Sequence, residues 1–170
     1  RADVGVPEDA VVLCGFNQPY KISPQVMDVW CALLHDTPHA VLWLLDWHSQ
    51  ARPNLEREFL ARGVELNRVH WAPRMDLADH LSRMSLADIF IDTWPCNAHT
   101  TASDALWAGV PVVTFAGGTF ASRVASSLLH AVGLDELICD GLTEYQHTIK
   151  ALASDPARRA ALRAALLQAR

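Results

Sequence analysis

The stretch Ile89–Thr114, IFIDTWPCNAHTTASDALWAGVPVVT, decides the fold. It reads as strand, loop, helix, strand. Ile89–Ile91 is an apolar run that predicts a buried strand, and Val112–Thr114 predicts the next one. Between them a helix starts at about Thr101, and Gly109 and Pro111 end it. The loop DTWPCNAHT gathers a thiol (Cys96), an amide (Asn97), an imidazole (His99) and the hydroxyls of Thr100 and Thr101. In an open parallel α/β sheet, the loops that leave the strand ends and enter helices form the ligand-binding edge. Thr100 or Thr101 is expected to cap the helix. Free N–H groups and the helix dipole there favour an anion such as phosphate. Asp104 is four residues after Thr100, on the same face. A carboxylate there is suited to sugar hydroxyls rather than to phosphate, although an acid in a first turn also favours any helix.

Outward from that unit, the pattern repeats. Val11–Phe16 predicts a strand, and Ser23 with Pro24 predicts a helix start, the helix running to about His35. Ala40–Leu45 predicts the second strand, and Pro53 opens a helix to about Ala61. Arg68–Trp71 predicts a third strand, followed by a helix of about ten residues from Asp76. After Thr114, Ala116–Thr119 is a turn and a helix runs from about Ala121 to Gly133. Leu137–Cys139 predicts a last strand. Thr143 caps a helix to about Ala153, and Asp155-Pro156 starts a final Ala/Arg-rich helix that packs on the rest. Six short apolar strands alternating with helices predict an α/β, three-layer, doubly wound parallel sheet of Rossmann type. Trp30, Trp43 and Trp107 occupy core-like positions.

Composition narrows the function classes. The 170 residues suit one domain with a full core, and a hydrophobic fraction of 51% argues against disorder. A net charge of −5 offers no basic face for nucleic acid. No apolar run approaches the roughly 20 residues of a membrane span. The start RADVGVPED is no secretion signal, and Arg1 suggests a piece of something longer. Cys14, Cys31, Cys96 and Cys139 form no CxxC pair, which points to reduced thiols and a cytoplasmic setting.

The motifs exclude several chemistries. No GxGxxG follows the first strand, no GxxxxGK[ST] appears, and GxSxG is absent. His80 and His99 lack a zinc-ligand spacing, and Pro38 separates His35 from His39. His130 and His147 read as helix-surface residues. Only two Lys accompany twelve Arg, so Lys21, in the loop after the first strand, stands out as the candidate phosphate cation.

The residues then carry a resemblance. FNQPYKISP at Phe16–Pro24, LADIFIDTWP at Leu86–Pro95, CNAHTTASDALWAGVPVVT at Cys96–Thr114 and FASRVASSLL at Phe120–Leu129 resemble segments of the O-GlcNAc transferase family. The resemblance runs from about Asp9 to near the C-terminus. It implies the C-terminal, donor-binding half of a GT-B glycosyltransferase. The family transfers N-acetylglucosamine from UDP-GlcNAc to Ser or Thr hydroxyls of proteins, with inversion and without metal or other cofactor. It also implies partners: a protein or peptide acceptor, an N-terminal catalytic half and tetratricopeptide repeats, without which these residues transfer nothing.

By the same resemblance, Gln18 and Lys21 match diphosphate contacts, and Lys21 is the catalytic cation that offsets the leaving UDP. His80 and Arg83, in DHLSR, match the uracil side. Cys96 and His99 match positions near the sugar. Thr100 and Thr101 match the diphosphate contacts at the helix start, and Asp104 matches the ribose carboxylate. One departure is Leu77, where the family often has Lys, and Arg74 is the candidate substitute. A fucosyl- or glucosyltransferase with another donor, and a non-catalytic sugar-nucleotide sensor, are the alternatives.

Overall fold

The structure is a computed structural model describing residues 1–170. Six strands form one parallel sheet: β1 (Val11–Gly15), β2 (Ala40–Leu45), β3 (Val69–Ala72), β4 (Ile89–Ile91), β5 (Val112–Phe115) and β6 (Ile138–Cys139). Their order is β3-β2-β1-β4-β5-β6, so the direction of winding reverses between β1 and β4. In register, Val11–Gly15 pairs with Ala40–Leu44, Leu13 with Ile89, and Phe90 with Val112. Every residue of β1, β2, β4 and β5 is buried. Burial on both faces is what a parallel sheet between two helical layers requires, and it explains why these strands read as unbroken apolar runs.

Seven helices cover the sheet: α1 (Pro24–Asp36), α2 (Ala51–Ala61), α3 (Leu77–Met84), α4 (Thr100–Trp107), α5 (Val124–Ala131), α6 (Leu142–Ser154) and α7 (Pro156–Gln168). Ser23 caps α1 by accepting from the Val26 N–H, with Pro24 at the first helical position. Trp30 of α1 packs directly against Gly15 of β1, which leaves no room for a side chain there. A Cβ there would sit 2.8 Å from the Trp30 ring and 3.1 Å from Leu44. Gly109, at φ +77°, ends α4, as its position in the sequence predicts. In α7, Leu162 and Leu166 are buried, so the Ala/Arg tail does pack on the sheet's helical layer.

Several boundaries differ from expectation. α2 starts at Ala51, two residues before Pro53, and β3 is displaced by one residue. A 3-10 turn at Phe120–Ser122 precedes α5, because Ser122 and Thr119 close a reciprocal capping box there. Leu137 ends another 3-10 turn, which leaves β6 only two residues. α6 starts at Leu142 with Gly141 at the cap, so Thr143 lies inside the helix. Trp107 is 55% exposed rather than core. It sits in the last turn of α4 on the solvent side, with the Arg170 guanidinium 5.1 Å from its ring centre. No helix is long and apolar enough to cross a membrane.

Candidate functional site

The reversal between β1 and β4 opens a crevice at the strand ends, flanked by the loop Asn17–Lys21 and the loop Asp92–His99. These loops are stitched together across it. Asn17 Nδ2 donates to Thr93 Oγ1 at 2.9 Å, and Asn17 Oδ1 accepts from Thr101 Oγ1 at 2.9 Å. Ser23 Oγ donates to the Trp94 carbonyl at 3.1 Å. Lys21 Nζ donates to the Asn97 carbonyl at 2.7 Å. These four bonds tie the two loops to each other, while Asn97 Oδ1 and Arg83 Nε are buried without a partner.

A cavity of 520 Å³ occupies this edge. Lys21, Arg74 and Arg83 bring positive charge to its wall, and no carboxylate lines it. The start of α4 faces it through Thr100 and Thr101. The first bond of that helix is from Ser103 N–H to the His99 carbonyl at 3.1 Å, which leaves the preceding N–H groups without helical acceptors. Three cations and a helix N-terminus around one cavity suit it to an anion. Aromatic rings stand beside two of these cations. Phe16 lies 5.5 Å from the His80 ring, and the Arg83 guanidinium lies 5.2 Å from the Phe16 ring centre. Arg74 stacks 4.8 Å over Trp47. A larger open groove of 720 Å³ beside α5 brings together Thr119, Phe120, Arg123 and Ser127, and none of the expected ligand contacts.

Protonation states follow from burial. Arg83 donates from Nη2 to His80 Nδ1 at 3.0 Å, so Nδ1 is the acceptor and Nε2 carries the ring proton. Desolvation, with the Arg83 charge behind it, pushes the His80 imidazolium below its usual range, and the ring is neutral at pH 7. Arg83 is itself buried and also donates to the Pro73 carbonyl. Burial raises the Asp104 carboxyl.

Asp92, fully buried at the end of β4, is pushed up to about 6 by desolvation, against the pull of hydrogen bonds from Ala98 N–H, Thr114 Oγ and Thr93 N–H and of the Lys21 charge. A carboxyl raised in the folded state contributes stability that is fully present below its unfolded value near 4. That contribution is lost as pH rises through about 6. We expect unfolding free energy to fall by about 2–3 kcal/mol from this group between those limits. Asp92→Asn should flatten that slope in thermal unfolding followed against pH. An identical slope in the variant would remove Asp92 as its source.

Of the residues singled out from the sequence, Gln18, Lys21, His80, Arg83, His99, Thr100 and Thr101 line the one cavity, as does Arg74 beside Leu77. Cys96 and Asp104 do not line it. The Cys96 thiol faces the Asn97 carbonyl at 3.8 Å, and Asp104 sits half-buried one turn along α4. Neither Thr100 nor Thr101 caps α4. His99 holds that position, and the Thr101 hydroxyl is committed to Asn17. Arg83 is buried rather than a solvated helix residue. Sequence reasoning missed Asp92, Asn17 as the link between loops, and the Phe16 and Trp47 rings. Each follows an apolar strand, where it reads as strand end or loop start. No group of three or more His, Cys, Asp or Glu lies together in a way that could hold a metal ion.

A doubly wound parallel sheet with a cation-lined cavity at its reversal point defines a Rossmann-type domain. Comparison with known proteins narrows this. The chain belongs to Glycosyl transferase family 41, which matches residues 1–170. It is 38% identical over 170 residues to the UDP-N-acetylglucosamine–peptide N-acetylglucosaminyltransferase of Caenorhabditis elegans, covering 100% of this chain and 15% of that protein. It is 37% identical over 163 residues to the probable enzyme SEC of Arabidopsis thaliana, covering 95% and 17%. A mutant O-GlcNAc transferase from Thermobaculum terrenum superposes with a TM-score of 0.89 at 33% identity, covering 96% of this chain and 34% of that one. The chain is thus a glycosyltransferase-family domain that spans a minor part of the relatives' length.

Proposed function

We propose that the cavity binds the nucleoside diphosphate of UDP-GlcNAc, and that these residues are the C-terminal donor half of an inverting, metal-independent GT-B transferase. The observation that carries this reading is the lining itself: three cations and the start of α4, with no carboxylate. The diphosphate lies between Lys21, Gln18 and the N–H groups at Thr100 and Thr101. The uracil lies toward His80 and Arg83, where Phe16 supplies a ring face. His99 stands toward the sugar, while Cys96 and Asp104 lie outside the cavity lining and are assigned to the sugar and the ribose by the family resemblance alone.

In the transfer step, the bond between the anomeric carbon and the diphosphate oxygen breaks, and its electron pair stays on that oxygen. An acceptor Ser or Thr hydroxyl oxygen forms the new bond from the opposite face, and its proton leaves to a group on the N-terminal half. Lys21 and the α4 N–H groups are already in place for the charge that develops on the leaving diphosphate, which is the advantage of a preorganised electrostatic site. They supply the positive charge that a divalent ion supplies in other sugar transferases. The acceptor protein, the N-terminal half and the tetratricopeptide repeats are partners outside these residues. The free thiols, three of them buried, suit a cytoplasmic protein.

Calorimetric titration with UDP, UDP-GlcNAc and GDP, each with and without EDTA, tests the reading. The expected result is UDP binding that ignores EDTA, with GDP silent. Preference for GDP overturns the donor and favours a fucosyltransferase; binding without turnover by the full-length protein favours a sensor. Asp104→Ala should weaken UDP binding by about 1.5–3 kcal/mol, the worth of hydrogen bonds to a charged group. An unaltered dissociation constant removes Asp104 from the ribose.

A further inference from the structure

The peptide group between Asn97 and Ala98 is held from both sides. Its carbonyl accepts from Lys21 Nζ at 2.7 Å, and its N–H donates to Asp92 Oδ1 at 2.6 Å. The one cis peptide of the chain is Trp94–Pro95, so this group is trans and its C=O and N–H point in opposite directions. A carboxylate, a peptide dipole and an ammonium therefore stand in sequence. The negative end of the dipole meets the cation and the positive end meets the anion.

Asp92 does not line the cavity. Besides Ala98, it accepts from Thr93 N–H at 2.7 Å through Oδ1 and from Thr114 Oγ1 at 2.7 Å through Oδ2. All three donors are neutral, and the carboxylate has no ion-pair partner within 4.0 Å. Burying an unpaired charge is costly. An Asn would satisfy the same groups. Its carbonyl would accept from both N–H groups, and its amide would donate to the Thr114 hydroxyl, which can accept as well as donate. Hydrogen bonding alone thus does not account for an acid here. The cation whose field reaches this carboxylate is Lys21.

We propose that Asp92 is a positioning residue for Lys21, acting through the Asn97–Ala98 peptide, whose carbonyl it both fixes and polarises so that the ammonium stays at the cavity wall. This rests on the donor-site reading, in which Lys21 meets the leaving diphosphate. Hydrogen bonds in a chain strengthen one another, so charge at one end of the peptide is felt at the other. The ammonium then needs no rearrangement when charge develops on the diphosphate.

A double-substitution cycle in the full-length protein tests it, with kcat, KM for the donor and Kd for UDP measured throughout. Asp92→Asn should lower kcat about tenfold, as loss of an outer-shell partner does, with KM altered less than kcat. In a Lys21→Ala background, the same change should alter nothing further. Tyr145→Phe removes a 2.8 Å bond to the backbone carbonyl of Asp92 and spares the carboxylate, so kcat should stay within about twofold. Equal losses with and without Lys21, an unchanged kcat in Asp92→Asn, or a Tyr145→Phe loss as large as that of Asp92→Asn would each overturn the proposal.

If the wild-type protein turns over no sugar nucleotide, the transfer reading fails, and the cycle is read in UDP affinity instead. Asp92→Asn should then weaken UDP only where Lys21 is present, and additive losses overturn the proposal. A measurement on the native carboxylate covers the case in which Asp92→Asn fails to fold. Asn–Ala occurs once in this sequence, so pairwise isotope labelling isolates the Ala98 amide. Lys21→Met should move its proton upfield as the bond to Asp92 weakens; an unmoved resonance overturns the proposal.

Discussion

Lys21→Ala in the full-length protein should lower kcat for sugar transfer by a factor on the order of 10²–10³, the loss that follows removal of one preorganised donor to a developing oxyanion. The fold should survive. Lys21 ends a short 3-10 turn, Pro19–Lys21, and is half-buried, and its one side-chain bond is the one to the Asn97 carbonyl. Its neighbours hold without it, because Asn17 ties the same two loops through Thr93 and Thr101. Steady-state kinetics alongside a melting curve separate the two effects. Unchanged turnover would remove Lys21 from the leaving-group side of the reaction.

Arg83→Ala should weaken UDP binding by about 2 kcal/mol, roughly thirtyfold, because a buried Arg that shapes a pocket wall is the kind of residue on which binding energy concentrates. The guanidinium holds three things at once: the Pro73 carbonyl, His80 Nδ1 and the face of Phe16. Its Nε has no partner, although the atom is buried. Arg83→Lys should fail to rescue, because a single ammonium cannot lie flat on a ring and reach two acceptors. Titration of both variants with UDP decides it. Near-native affinity in Arg83→Lys would show that charge alone matters at this position.

The sheet was legible in the sequence because strands buried on both faces leave continuous apolar runs, and VVLCG, AVLWLL and IFI are too short for helices and alternate with helix start and stop signals. Lys21 was legible because it is one of two lysines and follows the first strand. The helix cap at α4 was not. Thr101 has the residue type of a cap, but its hydroxyl goes to Asn17, 84 positions away. Asp92 was hidden for the same reason. An acid after IFI reads as the start of a loop, and its third donor, Thr114, arrives only once β5 lies beside β4. Trp107 misled because its apolar ring suggests burial, while the eight-residue helix that carries it turns that side outward.

The winding order has a consequence for how the protein is made. The bonds that build the crevice join residues far apart in the chain: 76 positions for Lys21 to Asn97 and for Asn17 to Thr93, and 84 for Thr101 to Asn17. A nascent chain that has formed β1, β2 and β3 has half of the sheet and none of these bonds. Closing so long a loop precedes any reward from the contacts it makes, which slows the search for the native state. Ligand affinity therefore belongs to the completed fold alone. If the proposed nucleotide binds there, it draws the whole folding equilibrium toward the native form by RT ln(1 + [L]/Kd), so nucleotide supply during synthesis would raise the yield of folded protein.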